Sequence, residues 1–470
     1  MITEGNRIYN IILKNIASNR TLTMNKINPD QSAASAQLGQ RSMQAVWHPC
    51  TQMKQHENHP PLPIARGKGV WLFDAAGNRY LDAVSSWWVN LFGHSNSVIN
   101  AAIRDQLEKI EHVMLAGFTH EPVIALSERL KQITPGSLGH CFYASDGASA
   151  IEIALKMSFH YWQLCGKTHK TGFVSLQNDY HGETLGALSV TDVAIFKQTY
   201  APLLRPCTHV PTPDWRYAET GESAEAFALR AADALERYLA ENHAQTAAFI
   251  LEPLVQGAAG MGMYHPVYLQ RARLLCDRYQ VHLILDEIAV GFGRTGTLFA
   301  CNQAEITPDI LCLSKGLSGG YLPISVAMAT DVIYQAFYSD QISRAFLHSH
   351  SHTGNAIGCR AALATLDIFA QDNIIEANKT KAAYLNRIAT KLAAHGRVKN
   401  FRNCGMIWAF EVDTAMQDFA SACFQAGLKH GLVLRPLGKT VYFMPPYVIE
   451  EPEMDLLIDG TLHILDTLSA

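Results

Sequence analysis

The sequence predicts an α/β protein in which a mainly parallel, doubly wound sheet is joined by a smaller α+β unit. Over the middle of the chain, short apolar segments alternate with longer helical patterns, which is typical of such a sheet. Charged residues follow some of these apolar segments at their carboxyl ends, where α/β sheets bind ligands. After about residue 360 the helical patterns are interleaved with a few strands, which predicts the α+β unit.

The composition is that of an ordinary globular protein. Of the 470 residues, 48% are hydrophobic and 17% are charged, which suits one large and one smaller domain. The net charge of −4 gives no general field that would attract nucleic acid. The ten cysteines are scattered without a CxxC pair, and neither a membrane-spanning run nor a signal-peptide pattern is present, so we expect a cytoplasmic location.

Residues 1–40 are polar and predict little fixed structure, so we expect a disordered N-terminal extension. Its basic residues leave a mitochondrial transit peptide open as an alternative, and Met24 is an alternative start. The charged residues concerned are Arg7, Lys14 and Arg20, opposed by Glu4. We expect residues 41–84 to begin the small domain, residues 85–365 to form the large domain and residues 366–470 to complete the small one.

Two short strands around an Ala-Gly-Asn turn are predicted at residues 69–81, GVWLFDAAGNRYL. They lead into the sequence Ser85-Ser86-Trp87-Trp88. Paired tryptophans are typical of core packing but also of a binding-site wall, and both interpretations stay open here. A helical pattern follows at residues 98–111.

Residues 141–162, CFYASDGASAIEIALKMSFHYW, form the clearest local unit of the chain. A short strand meets a glycine turn, and apolar residues at spacings of three and four then predict a helix. The free N–H groups of a first helical turn favour a phosphate. A plain helix start capped by Ser145 or Asp146 is the alternative.

The alternation of strands and helices continues to the C-terminus. Strands are predicted at residues 173–177, 247–253, 281–287, 310–313, 406–412 and 440–446. Helices are predicted at residues 224–242, 266–279, 361–371, 374–394 and 416–430.

Lys315 and Asp286 each follow a buried apolar strand at its carboxyl end, and glycines follow Lys315. Considered by itself, Lys315 could equally well be an ordinary surface lysine at the end of a strand. Together, the two residues fit pyridoxal phosphate, which needs a lysine for a Schiff base and a carboxylate for its pyridine nitrogen. The helix start at Gly147 would receive its phosphate, and Tyr180 is an aromatic side chain that could cover its ring.

Several motifs resemble the class III aminotransferases, which have the fold of type I pyridoxal-phosphate transferases. In chain order these motifs are WHPCTQ, SSWW, SDGASAIEIALKM, NDYHGET, LEPLVQGAAGM, LILDEIAVGFGRTG, LCLSKGLSGGYLP, HSHSHTGN and RPLGKTVYFMPP. The resemblance covers the chain from about residue 44 onward. It implies a large domain with a mainly parallel seven-stranded sheet between helices, and a smaller α+β domain built from the chain ends.

Carried over by position, the resemblance implies catalytic roles for Lys315, Asp286 and Tyr180. Gly147 and Ala148 would bind the phosphate through their backbone. The residues expected to bind substrate are Trp87, Trp88, Tyr180, Arg294, Lys315, Ser349, Arg435 and Tyr442. Of these, Arg435 would pair with a substrate carboxylate, because a guanidinium matches a carboxylate with two hydrogen bonds.

Residues 348–355, HSHSHTGN, resemble a family segment that reaches the cofactor phosphate of a neighbouring subunit. Ser351 would supply the hydroxyl, with His350 beside it, which implies a homodimer with active sites at the interface. His348, His350 and His352 alternate as metal ligands on a strand would, but no acidic ligand accompanies them, so we expect no metal.

SSWW and RPLGKTVYFMPP narrow the resemblance to the biotin-pathway branch of the class. That branch implies 8-amino-7-oxononanoate as the amino acceptor and S-adenosylmethionine as the favoured donor. Cys50 departs from the branch, where tyrosine follows the WHP motif, and this leaves lysine open as the donor. Serine in place of threonine at Ser351 is a second departure. The alternatives are a class III transaminase for ω-amino acids or ornithine, an aminomutase, and a non-enzymatic metal-binding protein.

Overall fold

The computed structural model describes residues 29–468, and the chain divides into two compact units. Unit 1 includes residues up to Gly67 together with Trp71–Tyr80, and unit 2 comprises Lys68–Val70 and the chain from Leu81 onward. The charged residues of the N-terminus weighed above and Met24 lie outside the described residues. The domain boundaries expected near residues 41, 85 and 366 stay a prediction.

Strands and helices follow one another along the whole described chain. The strands are β1 (Ile64–Lys68), β2 (Trp71–Asp74), β3 (Arg79–Asp82), β4 (His140–Ala144), β5 (Gly172–Leu176), β6 (Thr208–Val210), β7 (Thr246–Leu251), β8 (Val255–Gln256), β9 (Gly262–Met263), β10 (His282–Asp286), β11 (Ile310–Leu313), β12 (Ser325–Ala329), β13 (Val398–Cys404), β14 (Ile407–Val412), β15 (Leu432–Val433) and β16 (Thr440–Phe443). The α-helices are α1 (Pro29–Ala45), α2 (Ser85–Trp88), α3 (Ser97–Leu107), α4 (Glu121–Ile133), α5 (Gly147–Leu164), α6 (Leu185–Val190), α7 (Ala194–Lys197), α8 (Ala224–Asn242), α9 (Val267–Tyr279), α10 (Asp331–Phe337), α11 (Ala356–Gln371), α12 (Ile374–Ile388), α13 (Thr390–Ala393), α14 (Phe419–Lys429) and α15 (Glu451–Thr467).

Unit 1 contains a helix where we expected no fixed structure. Residues 29–40 belong to α1, Pro29–Ala45. The segment from Ser32 onward is rich in alanine and glutamine and contains Leu38 and Met43, all residues that favour a helix. The prediction of disorder for residues 29–40 relied on their polarity and did not take into account that these residues favour a helix.

The core of unit 2 is a seven-stranded sheet in the order β4-β12-β11-β10-β7-β5-β6. Neighbouring strands from β11 to β6 pair in parallel, and β12 is antiparallel to both β11 and β4. The central strands β7, β10 and β11 are entirely buried, which is why their sequences are continuously apolar. The predicted α/β fold with a mainly parallel seven-stranded sheet is confirmed, while the antiparallel β12 was not foreseen.

Helices cover the sheet with their apolar sides. In α5, Ile151, Ala154, Leu155 and Ser158 are buried, as the spacing of three and four predicts. Ile151, Ala154 and Leu155 join a core cluster with Ile250, Ile284, Ile310 and other residues of the central strands. In the described part of the chain, no helix is both long and apolar enough to span a membrane.

A second sheet follows in the C-terminal part of unit 2. Strands β13, β14 and β16 pair antiparallel in that order, with Trp408 of β14 opposite Phe443 of β16. The helices α12 to α15 occur in the same part of the chain, so the expected α+β character is present. The predicted helix at residues 374–394 is divided into α12 and α13.

The apolar row Ile250, Ile284 and Ile310 crosses the middle of the sheet, because Ile284 is the register partner of both other residues. We predict that Ile284→Ala lowers the free energy of unfolding by about 2–5 kcal/mol, since the cavity cannot fill in a packed strand. Urea or thermal unfolding followed by circular dichroism measures the loss. Ile195→Ala is the control, because Ile195 is 85% exposed and should lose almost nothing. Equal losses in the two variants would contradict the described packing.

Candidate active site

Several strands of the seven-stranded sheet end at one edge because they run in the same direction. The residues that follow these carboxyl ends are Asp146 after β4, Tyr180 after β5, Glu252 after β7, Asp286 at the end of β10 and Lys315 after β11. Carboxyl ends of parallel strands form the ligand crevice of an α/β sheet. The topology therefore brings the predicted Lys315 and Asp286 to the same edge.

Lys315 occupies a strained position at this edge. Its φ of 40° is in the left-handed region, and it opens a short 3-10 helix, Lys315–Ser318. Its Nζ lies 5.2 Å from the centre of the Trp88 ring. Burial lowers the pKa of Lys315 below that of a free lysine, although the charges of Asp286 and Glu252 oppose the shift. The amine is therefore easier to deprotonate than a surface lysine.

A glycine after Lys315 allows close contact with the chain that follows Trp88. Gly320 has a φ of +86°, and a Cβ on it would lie 2.9 Å from the main-chain N and Cα of Asn90. A side chain at this position would therefore push the two loops apart. The glycine-rich sequence after Lys315 thus brings the lysine loop and the tryptophan pair together.

Asp286 is held by a buried histidine that the sequence analysis did not single out. Asp286 Oδ2 is 2.8 Å from His181 Nδ1, and Asp286 Oδ1 accepts a hydrogen bond from the N–H of Ile288 at 3.1 Å. On its other side, His181 Nε2 lies 3.6 Å from Asp179 Oδ2. Burial alone would lower the pKa of His181, but the two neighbouring carboxylates raise it to about 10. A protonated His181 therefore forms a buried ion pair with Asp286.

The carboxylate of Asp179 is fixed in turn by an amide. Gln256 donates from Nε2 to Asp179 Oδ1 at 2.6 Å, and Thr212 donates its hydroxyl to Gln256 Oε1 at 2.5 Å. All three side chains are buried. Burial raises the pKa of Asp179 above that of a free aspartate. The hydrogen bonds from Thr212 through Gln256 therefore fix Asp179, which in turn lies next to the His181 that pairs with Asp286.

The start of α5 has the features of a phosphate site. Asp146 caps the helix by accepting hydrogen bonds from the N–H and the hydroxyl of Ser149, both at 2.9 Å. Among the hydrogen bonds of the described residues, none uses the N–H of Gly147 or Ala148 as a donor. These two N–H groups lie at the positive end of an 18-residue helix, which suits an anion. Capping by Asp146, the alternative that the sequence left open, therefore leaves the N–H groups of Gly147 and Ala148 available for an anion.

The segments that carry Tyr180 and Asp286 both contact this helix start. A Cβ on Gly182 would lie 2.5 Å from the Cβ of Ala148, and a Cβ on Gly147 would lie 2.9 Å from Cγ2 of Ile288. The Tyr180 hydroxyl donates to Glu183 Oε1 at 2.9 Å. The helix start at Gly147 and Ala148 is thus next to the segments that carry Tyr180 and Asp286, and Asp286 is close enough to Lys315 for its charge to act on the amine.

The SSWW segment, which is α2, has the hydrogen bonds of a single helical turn but is left-handed, unlike the other helices. Ser85, Ser86, Trp87 and Trp88 have φ values of 50°, 46°, 73° and 72°. L-residues avoid such a turn at a cost of about 1–2 kcal/mol each, so neighbouring contacts must hold it.

Asp82 supplies the contacts that hold the turn. This buried carboxylate accepts hydrogen bonds from the Ser86 N–H at 2.9 Å and the Ser86 hydroxyl at 2.7 Å, and it lies 3.0 Å from His94 Nε2. Burial alone would raise the pKa of Asp82, but the hydrogen bonds from His94 and Ser86 hold it below its usual value. Asp82 therefore remains a carboxylate, and as such it fixes the tryptophan pair.

The two tryptophans face different surroundings. Trp88 is buried and donates from Nε1 to the Tyr442 hydroxyl at 3.0 Å. Trp87 is 42% exposed, and the guanidinium carbon of Arg435 lies 4.5 Å from its ring centre. In the described chain Arg435 forms no ion pair with a carboxylate, so its charge is available for an anionic ligand.

Arg294 lies next to the segment that carries the two tryptophans. Its guanidinium donates to the carbonyl oxygens of Pro445 at 2.8 Å and Asn90 at 3.0 Å, and its side chain is almost completely buried. Burial lowers the pKa of Arg294. Its expected contact with substrate stays a prediction, whereas the described contacts hold the chain that follows Trp88.

Residues 349–351 do not join this cluster within one chain. Ser349 and Ser351 are exposed, and no described hydrogen bond or ring contact links them to Gly147, Asp286 or Lys315. His350 Nε2 lies 3.1 Å from His348 Nε2, whose ring contacts Lys156 Nζ through Nδ1 at 2.8 Å. Over residues 29–468, no group of three or more histidine, cysteine or acidic side chains is arranged to hold a metal ion.

A cavity of about 580 Å³ lies apart from the lysine site, along α5, α6 and residues 203–207. None of the predicted site residues lines it. We therefore locate the candidate active site by its chemistry, at the edge that carries Lys315 and Asp286.

The model of the aminotransferase class-III family matches residues 52–465. The chain belongs to this family. It is therefore a pyridoxal-phosphate-dependent aminotransferase, as the motifs predict. The family assignment, the enzyme class and the cofactor expected from the sequence are thereby confirmed.

Two groups of relatives are similar to this class III aminotransferase. The adenosylmethionine-8-amino-7-oxononanoate aminotransferase of Helicobacter pylori is 46% identical over 438 residues, 92% of this chain and 98% of that protein. The crystal structure of the enzyme of the same name from Methanocaldococcus jannaschii has a TM-score of 0.87 at 36% identity and covers 92% of this chain and 99% of that one. An omega transaminase from Pseudomonas jessenii, solved in complex with PMP, has a TM-score of 0.86 at 29% identity and covers 92% of this chain and 98% of that one.

Four buried groups of this edge were not predicted from the sequence, namely His181, Asp179, Glu252 and Asp82. Glu252 carried the same signal as Asp286, a carboxylate directly after a buried strand. His181 stands next to Tyr180 in the NDYHGET motif. Asp82 had no such signal, because its role depends on the backbone conformation of the residues that follow it.

The ion pair between His181 and Asp286 predicts a pH dependence of stability. Because the pKa of His181 is raised to about 10 in the folded protein, its stabilisation is fully present below its ordinary pKa of about 6.5 and is lost as the pH rises towards 10. We predict that His181→Asn lowers the melting temperature most at pH 6 and progressively less at pH 8 and 10. Thermal unfolding at the three pH values measures the difference.

His140→Asn is the matched control for this experiment. His140 pairs with Asp331 at the surface, with 43% of its side chain exposed, so its removal should change the melting temperature little at any of these pH values. A gap between wild type and His181→Asn that stays constant or widens from pH 6 to pH 10 would show that His181 is neutral in the folded protein.

Proposed function

We propose that this aminotransferase transfers an amino group to 8-amino-7-oxononanoate and forms 7,8-diaminononanoate for biotin synthesis, with S-adenosylmethionine as the donor. The observation that carries the proposal is the meeting of Lys315, Asp286 and the first turn of α5 at one sheet edge. The names of the Helicobacter pylori and Methanocaldococcus jannaschii relatives support this choice of substrates.

The residues at the edge fit pyridoxal phosphate. The unused N–H groups of Gly147 and Ala148 would hold its phosphate, Asp286 its ring nitrogen and Lys315 its carbonyl carbon, while Tyr180 would cover the ring. When bound, the cofactor supplies a carbonyl that combines with amines and a ring that accepts electrons from the substrate carbon. The residues of this edge therefore offer a partner for the phosphate, the ring nitrogen and the carbonyl of the cofactor.

Lys315 serves as the base that moves a proton at the reacting carbon. Burial lowers the pKa of Lys315, so a larger fraction of the amine is neutral at a given pH than for a surface lysine. The protonated His181 lies beside the carboxylate of Asp286 and fixes its orientation. The Trp88 ring next to Lys315 limits the access of water.

The substrate side is formed by Arg435, Trp87, Trp88 and Tyr442. Arg435 binds the carboxylate of 8-amino-7-oxononanoate, and the tryptophan rings contact its apolar chain. Tyr442 holds Trp88 in place, and because burial raises the pKa of Tyr442 to about 12, its hydroxyl stays protonated at working pH. Ser349 and Arg294 are further substrate-binding residues in this proposal.

We also propose that the protein works as a homodimer in the cytoplasm. The exposed Ser349 and Ser351 support a dimer in which this segment, with His350, reaches the phosphate site of the second subunit. The large apolar side chains of Ile342 and Leu347 nearby are also exposed, each by 75%. No disulfide joins cysteines among residues 29–468, which supports a reducing compartment.

We predict that Lys315→Ala abolishes turnover, because no other amine takes the place of the base. The variant should also lose the long-wavelength absorbance that a lysine-bound cofactor gives to the wild type. Lys315→Arg is the matched control, since it keeps a positive charge but cannot take part in this chemistry. A Lys315→Ala protein that keeps both turnover and absorbance would disprove the assignment.

We predict that Arg435→Ala raises KM for 8-amino-7-oxononanoate about 10–100-fold with a smaller change in kcat, because one charged hydrogen-bonding partner is lost. Steady-state kinetics at saturating donor measure the effect. Arg230→Ala is the control, since Arg230 lies at the surface on α8 and pairs with Glu222. An unchanged KM in Arg435→Ala would place the substrate carboxylate elsewhere.

The donor is tested by mixing the enzyme with S-adenosylmethionine, with lysine or with an ω-amino acid and following the absorbance of the cofactor. We expect only S-adenosylmethionine to convert it. Conversion by lysine alone would reassign the donor, to which Cys50 already draws attention. Conversion by the ω-amino acid alone would overturn the biotin-pathway proposal in favour of an omega transaminase like that of Pseudomonas jessenii.

A further inference from the structure

Glu252 is a buried carboxylate that has no part in the reaction described above. It directly follows β7, which lies between β10 and β5 in the sheet, and only 4% of it is exposed. Its position is therefore between the strand end that carries Asp286 and the chain that leads to Tyr180. A buried carboxylate without a function is costly, so its contacts need an explanation.

Each carboxylate oxygen of Glu252 accepts one main-chain hydrogen bond. Oε2 accepts from the N–H of Tyr180 at 2.9 Å, and Oε1 accepts from the N–H of Gly257 at 3.1 Å. The two donors are far apart in sequence, so a single side chain ties two loops together. A carboxylate suits this task because both of its oxygens are acceptors, whereas a glutamine would turn an NH₂ group towards one of the donors.

Gly257 also packs directly against the ring of Trp88. A Cβ on Gly257 would lie 3.0 Å from the Cη2 and Cζ3 atoms of the Trp88 ring, which leaves no room for a larger residue without movement. The same ring lies 5.2 Å from Lys315 Nζ. Glu252 therefore connects the main chain of Tyr180 with the support of the tryptophan that faces the lysine.

We propose that Glu252 is a positioning residue that fixes the main chain of Tyr180 and the Gly257 support of Trp88 around Lys315 and acts on the Lys315 amine through its charge. The proposal rests on the active site proposed above, but it concerns the geometry and charge of the protein alone.

The charge of Glu252 changes near pH 8. Burial, with contributions from the negative charges of Asp179 and Asp286, raises the pKa of Glu252 to about 8, although the positive charge of His181 and the hydrogen bond from Tyr180 act in the opposite direction. An ionised Glu252 raises the pKa of Lys315, in opposition to burial. Above about pH 8, Glu252 thus favours the protonated lysine, and below it this influence disappears.

Glu252→Gln tests the proposal in protein freed of cofactor. Competitive labelling with acetic anhydride, followed by mass spectrometry of the peptide that contains Lys315, measures the reactivity of its amine at each pH. We expect the difference between wild type and variant to be smallest at pH 7, where Glu252 carries little charge and only the loss of positioning remains. At pH 9 and above, the variant should be labelled about three- to tenfold faster, because it lacks the negative charge that keeps the lysine protonated.

Glu287→Gln is the matched control. Glu287 is also buried, and its two oxygens accept the N–H groups of Ala300 at 2.7 Å and Cys301 at 2.8 Å. The substitution removes the same kind of contact, but Glu287 is not among the charges that act on Lys315. We expect the labelling profile of Lys315 to remain that of the wild type. The same change in both variants would mean that general loosening of the fold, and not Glu252, governs the lysine.

Amide hydrogen exchange tests whether Glu252 fixes the main chain of Tyr180 and Gly257. The N–H groups of Tyr180 and Gly257 should exchange faster in Glu252→Gln, whereas those of Ala300 and Cys301 should do so only in Glu287→Gln. Wild-type exchange at Tyr180 and Gly257, or wild-type labelling of Lys315 at pH 9 to 10, overturns the proposal.

Gly257→Ala provides a second variant if Glu252→Gln does not fold. Its methyl group would displace the Trp88 ring while the charge of Glu252 is retained, so the labelling rate of Lys315 should change at every pH. An unchanged rate would overturn the positional link. Because these measurements use neither substrate nor cofactor, their failure would leave the proposed reaction untouched.

Discussion

The site depends on the common direction of β5, β7, β10 and β11, which brings their carboxyl ends to one edge of the sheet. This constraint concentrates charge, because Asp179, Glu252, Asp286 and Lys315 all follow or end such strands. Isolated charges would be costly in a buried place. The protonated His181 reduces the cost by standing between Asp179 and Asp286, and the remaining negative charge is limited because burial raises the pKa values of Asp179 and Glu252.

Backbone strain is concentrated around the same edge. The left-handed turn of SSWW and the positive φ of Lys315 each impose a conformation that L-residues avoid. Strain of this kind persists only where neighbouring groups over-determine it, and here Asp82 binds the turn while Gly320 packs against the main chain of Asn90. The two strained segments therefore fix the relative positions of Trp88 and Lys315, because neither can relax without losing a buried contact.

Local patterns in the sequence were sufficient for much of the fold. The continuous apolar runs of β7, β10 and β11 reflect burial on both faces, and α8 begins and ends where its pattern predicts, at Ala224 and Asn242. The short strand β12 was not predicted because its direction is set by pairing with β11 and β4. Of these two strands, β4 lies far from β12 in the sequence. The helix α1 escaped prediction because its residues are polar, although they favour a helix.

The site was predictable to the extent that chemistry and strand ends coincide. Lys315 and Asp286 combine both signals, and the helix start at Gly147 has a recognisable turn. The sequence could not reveal that Arg294 binds the carbonyls of Asn90 and Pro445, since those partners are set by long-range packing. Nor could it reveal the left-handed turn, because serine and tryptophan do not favour one.

These long-range contacts also explain how the two sides of the site are coupled. Trp88 contacts Tyr442 through a hydrogen bond, Gly257 by close packing and Lys315 across its ring face. A displacement of this ring would therefore change the surroundings of both Tyr442 and Lys315. Since Asp82 fixes the turn that carries Trp88 and Glu252 fixes its glycine support, two buried carboxylates outside the reacting groups determine the position of one aromatic ring. The precision of the site thus depends on residues that need never touch the substrate.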